Sequence, residues 1–114
     1  MKHLLIFVFL LCLIYPNDFK NVHVLDIKTR SEMKKYMKQI SKELGVKCSH
    51  CHDIDDASTD TQEKEIARGM MKLTKSLNAS FNTVSTEHEN YKTYVSCWTC
   101  HRGNLKPEYI KPNN

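Results

Sequence analysis

Apolar positions change their spacing several times along this chain, and each change marks an element. Leu4 to Tyr15 is an unbroken apolar run behind Lys2 and His3, closed by Pro16-Asn17-Asp18. That length suits the hydrophobic stretch of a secretory signal and is too short for roughly 30 Å of hydrocarbon. Residues 16–28 are mixed, with Val22-His23-Val24-Leu25 as a short apolar patch suited to extended backbone. Met33, Tyr36, Met37, Ile40 and Leu44 then recur at helical spacing, with Lys34, Lys35, Lys38 and Lys42 on the other side. The pattern predicts an amphipathic helix from a Ser31 N-cap to about Leu44, stopped by Gly45.

Residues 53–61 are acidic and turn-rich. Thr61 is expected to cap a second helix running to about Leu77, with Ile66, Met70, Leu73 and Leu77 as its buried stripe. Asn78-Ala79-Ser80 reads as its end. A third, shorter helix is expected over Thr86–Tyr94, and residues 103–114, with Pro107 and Pro112, as a surface tail. Only three glycines and three prolines occur in 114 residues, which favours helices over a turn-rich β fold. The expectation is an all-α fold, with an N-terminal signal peptide or anchor at 1–16 and one small domain at 17–114. A chain this short buries little surface and usually borrows stability from disulfides, metals or cofactors.

The leader implies export, to the periplasm or beyond. No small-x-small cleavage pattern follows the apolar run, so a removed signal and a retained membrane anchor are both compatible with it. Cys12 lacks the small preceding residue that a lipidation site wants. With Cys12 set aside, four cysteines remain, in two C-x-x-C pairs. In an oxidising compartment such thiols are expected to be bonded to something.

Each pair is followed at once by histidine: Cys48-Ser-His-Cys51-His52 and Cys97-Trp-Thr-Cys100-His101. Cysteines three apart lie one helical turn from each other, so both sulfurs can reach the vinyl groups along one edge of a porphyrin. The next residue then supplies an imidazole to the iron. The duplicated unit predicts two covalently bound haems c, through Cys48 and Cys51 and through Cys97 and Cys100, with His52 and His101 as iron ligands. A Cys₄ zinc site shares the cysteine grammar but leaves both histidines unexplained, and no βαβ pattern supports a thioredoxin-like dithiol.

The opposite ligand decides what such an iron does, and the residues leave several candidates. Met37 lies on the apolar face of the helix before the first motif, and Met70 on the stripe before the second. Met71 points about 100° away from Met70. Met33, His23 and His88 are further sulfur and imidazole groups, whereas His50 is tethered inside its own motif. Trp98 is expected beside the porphyrin or near its edge.

With these residues in view, the chain resembles the family of the photosynthetic reaction-centre cytochrome c subunit, and its small dihaem members most closely. The likeness lies in Asn21-Val22-His23-Val24-Leu25, in Met37-Lys-Gln-Ile40 through Leu44-Gly45-Val46-Lys47-Cys48 with Cys51-His52, and in Ala67-Arg68-Gly69-Met70 through Leu77-Asn78 with Cys97-Trp-Thr-Cys100-His101-Arg102-Gly103. Together these stretches span most of residues 21–107. The resemblance implies His–Met ligation, with Met37 serving the first haem and Met70 the second. Where family members often carry a further methionine three residues after the position of Met70, this chain has Leu73. Nothing in it implies photosynthesis.

Formal charge is +4, unevenly spread. Lys28 to Lys47 holds seven basic and two acidic residues, and Asp53 to Glu65 six acidic and one basic. Haem propionates would offset the excess, so nucleic acid is not an expected partner. The function these features imply is electron transfer between redox protein donors and acceptors, with no small-molecule substrate. The N-terminal segment offers a route to membrane association. The alternative is a haem enzyme, a peroxidase or reductase subunit, with one open or labile iron.

Overall fold

The computed structural model describes residues 19–84 and 94–108. Among them are three α-helices and no strand: α1 (Arg30–Leu44), α2 (Gln62–Val84) and α3 (Cys97–His101), with a single 3-10 turn at Cys48–His50. The all-α expectation is met.

Helix α1 begins earlier than a Ser31 cap would place it. Thr29 is extended, with φ −118° and ψ 149°, and its hydroxyl accepts from the Glu32 N–H at 3.2 Å. The same hydroxyl donates to the Glu32 carboxylate at 2.9 Å. This reciprocal arrangement satisfies an N–H that the first turn leaves orphaned, so Ser31 falls inside the helix. The end is where glycine predicts it. Gly45 takes the left-handed conformation at φ 64°, and Val46 N–H returns to Ser41 O at 3.0 Å.

Thr61 caps α2 as expected, accepting from Lys64 N–H at 3.2 Å. The helix then runs to Val84 through Asn78-Ala79-Ser80, which were expected to end it. Asn78 breaks nothing because its side chain is spent elsewhere: the amide oxygen accepts from Val95 N–H at 2.7 Å, and the amide nitrogen donates to Val95 O at 2.8 Å. Ser80 turns its hydroxyl back on Ser76 O at 3.1 Å. The helix expected over Thr86–Tyr94 lies outside the described residues except for Tyr94, which is not helical. The N-terminal leader also lies outside them, and no described helix is long and apolar enough to cross a membrane.

Burial on α2 is a further correction. Ile66, Met70, Leu73 and Leu77, expected to be its buried stripe, are 56%, 49%, 54% and 38% exposed. The face turned to the rest of the protein carries Lys64, Ala67, Arg68, Met71, Thr74 and Asn78. These two rows lie roughly 120° apart on the helix. Among the described residues Val95 is the sole buried apolar side chain, at 8%. The described polypeptide therefore builds almost no core of its own.

What holds the elements together is a small number of close backbone contacts. Gly103 N–H donates to Glu43 O at 2.8 Å, joining the end of α1 to the turn after α3. There Gly45 passes so close that a Cβ would lie 2.0 Å from Gly103 O. Gly45→Ala should thus be among the most damaging single changes in the chain. The left-handed backbone alone costs an L-residue about 1–2 kcal/mol, and the clash adds to it. A chemical unfolding midpoint well below that of the native protein is the expected result.

Candidate haem-attachment site

The first motif folds as a short turn between α1 and the acidic loop. His50 N–H bonds Lys47 O at 3.0 Å, and His52 N–H bonds Cys48 O at 3.0 Å, which brings both cysteines to one side of the turn. Thr61 Oγ1 donates to Cys51 O at 2.8 Å, so the cap of α2 also anchors this motif. The acidic loop is a pair of side-chain-braced turns. Asp53 Oδ1 accepts from Asp55 N–H at 2.8 Å and from Asp56 N–H at 3.1 Å, and Asp56 Oδ1 accepts from Ser58 N–H at 2.9 Å. Their product is a carbonyl in a fixed place: His52 Nδ1 reaches Ala57 O at 3.1 Å.

The second motif is a true helical turn. Ser96 caps it, and Thr99 Oγ1 returns to Ser96 N–H at 3.1 Å. Arg102 (φ 49°) and Gly103 (φ 83°) then reverse the chain in left-handed conformations. The reversal delivers Asn104 O to His101 Nδ1 at 3.0 Å. Two unlike local folds thus converge on one arrangement. A carbonyl can only accept, so in each histidine Nδ1 carries the proton and Nε2 keeps a free lone pair for a metal.

Around the first motif lies an open cavity of about 510 Å³, lined among others by Met33, Met37, Cys48, Cys51, His52 and Met71. That lies within the roughly 300–1,000 Å³ of cofactor sites. A second space of about 260 Å³ lies beside the second motif, lined among others by Tyr36, Glu43, Met71, Asn78, Tyr94 and Cys97. Met37 sits where the sequence places it, on the cavity wall. Met70 lines neither space and lies on the exposed row of α2, whereas Met71 lines both. His23 lines the larger cavity, behind a polar cluster. Asn21 donates to Ser58 O and to Asp60 Oδ1, both at 2.7 Å, and Arg68 donates to Asp60 Oδ1 at 2.8 Å. The Arg68 and Asn21 hydrogen bonds hold the Asp60 carboxyl below its ordinary pKa.

All four motif cysteines are free thiols. Burial pushes the Cys51 thiol up, helped by Glu63, and burial pushes the Cys97 thiol up, helped by Glu43. Among the described residues no group of three or more His, Cys, Asp or Glu is gathered to hold a metal. The two cysteine pairs therefore stand apart, each with its own histidine, and do not meet as a Cys₄ site. Sequence reading did not single out Glu43, and it took Asn78 for a helix end and not for a tether to Val95, since one polar residue in an amphipathic helix carries no local signal of a distant partner.

The model of the family described as photosynthetic reaction centre cytochrome C subunit matches residues 15–114. The chain belongs to that family. Cytochrome c-554 of Chloroflexus aurantiacus is 37% identical over 89 residues, covering 76% of this chain and 21% of that protein. The photosynthetic reaction center cytochrome c subunit of Rubrivivax gelatinosus is 32% identical over 94 residues, 81% of this chain and 24% of its own length. Its counterpart in Thermochromatium tepidum is also 32% identical, over 80% of this chain and 22% of its own. The chain thus spans about a fifth to a quarter of the length of these relatives. Membership makes it a c-type cytochrome with covalently bound haem c, and the free thiols and the tethered histidines fit that group.

Proposed function

We propose that this chain carries two haems c, one on each motif, and passes electrons between redox proteins without a substrate of its own. The observation that carries the reading is the duplicated tether, Nδ1 to a backbone carbonyl at 3.1 Å for His52 and 3.0 Å for His101. Two different loops have no structural need to hold two histidines alike, unless both imidazoles present Nε2 to iron. Haem c supplies one-electron exchange between ferric and ferrous iron when bound. The protein's own part is to fix and shield it.

Cys48 and Cys51 would anchor the first haem and Cys97 and Cys100 the second. Met37, on the cavity wall, would be the methionine ligand of the first. For the second we assign Met70. The support is the uncovered apolar row Ile66, Met70, Leu73 and Leu77, which a flat apolar group on the second motif would bury. Met71 is already turned to the spaces shared with α1. Methionine ligands to both haems would leave no open position for a substrate, which favours carrier over peroxidase.

The leader supports export to the periplasm, with 1–16 as signal or anchor and 17–114 as the mature domain. The redox partners are proteins. Lys34, Lys35, Lys38 and Lys42 are exposed on α1, and no ion pair among the described residues uses them. That face suits an acidic partner, because complementary charge raises encounter rates. Stopped-flow electron exchange with an acidic redox protein should slow severalfold as salt shortens the screening length to about 8–10 Å. Rapid CO binding to the reduced protein, together with peroxide turnover, would replace the carrier reading with the enzyme one.

A further inference from the structure

Glu43, in the last turn of α1, grips α3 at both ends. Its Oε2 accepts from the Trp98 N–H at 3.1 Å, at the start of α3. Its main-chain oxygen accepts from Gly103 N–H at 2.8 Å, just past the end. Oε1 is held in turn by the Gln39 amide at 2.8 Å. The helix that leads into the first motif is thereby clamped to the second. No ion pair among the described residues neutralises this carboxylate, although Lys75 lines the same 260 Å³ space. Cys97 lines that space too.

We propose that Glu43 is a positioning residue that sets the reduction potential of the haem on the second motif, by holding one fixed negative charge beside Cys97. The proposal rests on the reading that this motif carries a haem. One-electron reduction of ferric to ferrous iron, with the electron drawn from an external donor, lowers the positive charge of the site. A neighbouring carboxylate therefore favours the ferric form and lowers the potential. Half-burial strengthens the effect, since less water screens the charge. Once the Cys97 sulfur is part of a thioether it has no proton to offer, so the Gln39 amide and the Trp98 N–H remain as the donors that orient the group. A purely structural clip would need the hydrogen bonds but not the charge.

Glu43→Gln separates the two roles, because the amide keeps an oxygen for the Trp98 N–H and loses the charge. Spectroelectrochemical titration of the native holoprotein should show two midpoints, and in E43Q one of them should move to higher potential while the other stays. Adding Met37→Ala, which alters the spectrum of the first haem, identifies the wave that moved as the second. Unchanged midpoints in an E43Q protein that retains both haems overturn the proposal, and so does a shift confined to the first haem. If E43Q loses a haem, Gln39→Leu decides. That change removes a donor from Glu43 and leaves its hold on Trp98 and Gly103. The same midpoint then moves down if the charge sets it, and stays if Glu43 is only a clip. Native protein with the mass of a single haem would refute the two-haem reading itself, before any variant is compared.

Discussion

Protein matured in a periplasm that can attach haem c should exceed the apo-chain mass by two haems, and this is the largest effect expected. Each motif presents two free thiols within one turn and an imidazole with its Nε2 lone pair available. A haem on each motif would also supply apolar cover that the described residues lack. Val95 alone is buried among the described apolar residues, whereas small domains rely on packed side chains at near-crystalline density. The cavity of about 510 Å³ and the exposed row on α2 are the places where that density is missing. Replacing Cys48 and Cys51 together by Ala should leave one haem and a protein far less resistant to unfolding. An increment of one haem in the native protein would end the dihaem reading.

Loss of a methionine ligand should have the next largest effect. Met37→Ala and Met70→Ala are each expected to remove one sulfur–iron charge-transfer band from the oxidised spectrum and to lower one midpoint potential, because thioether ligation favours the ferrous state. Met71→Ala should leave both bands in place. It lines both spaces and would loosen packing instead, at a cost of about 2–5 kcal/mol if its side chain is fully enclosed in the holoprotein. The outcome that overturns the assignment is a spectrum changed by Met71→Ala and untouched by Met70→Ala. Ordinary helical geometry makes the comparison sharp, since adjacent residues point about 100° apart and cannot both face one iron.

The two motifs are also mechanically one unit. α1 ends in the Gly45 turn that presents the first motif, and the same turn packs on Gly103 beyond the second. From the other side Asn78 of α2 holds Val95, two residues before Cys97. The second motif is therefore braced by two helices distant in sequence, and the first by the end of α1 and the cap of α2, which limits how far the motifs can move relative to each other. A carrier benefits from that rigidity, because little reorganisation accompanies each electron.

Much of this was legible in the residues alone. Helical spacing from Met33 to Leu44, the glycine stop at 45 and the Thr61 cap are local features, decided by interactions within a few residues, and the structure has all of them. The C-x-x-C-H units are local as well, so their chemistry could be read without any fold. Other features depended on contacts far along the chain. Thr29 displaced Ser31 because the cap goes to whichever hydroxyl the entering backbone aims at the first turn. Asn78 stayed helical because Val95, 17 residues away, satisfied its amide. The apolar periodicity of α2 identified a stripe but not what covers it, and it named as buried the very row that the protein leaves exposed. A periodic pattern records only that a face avoids water. Which neighbour meets that face is a property of tertiary packing, which the spacing of residues along one helix does not encode.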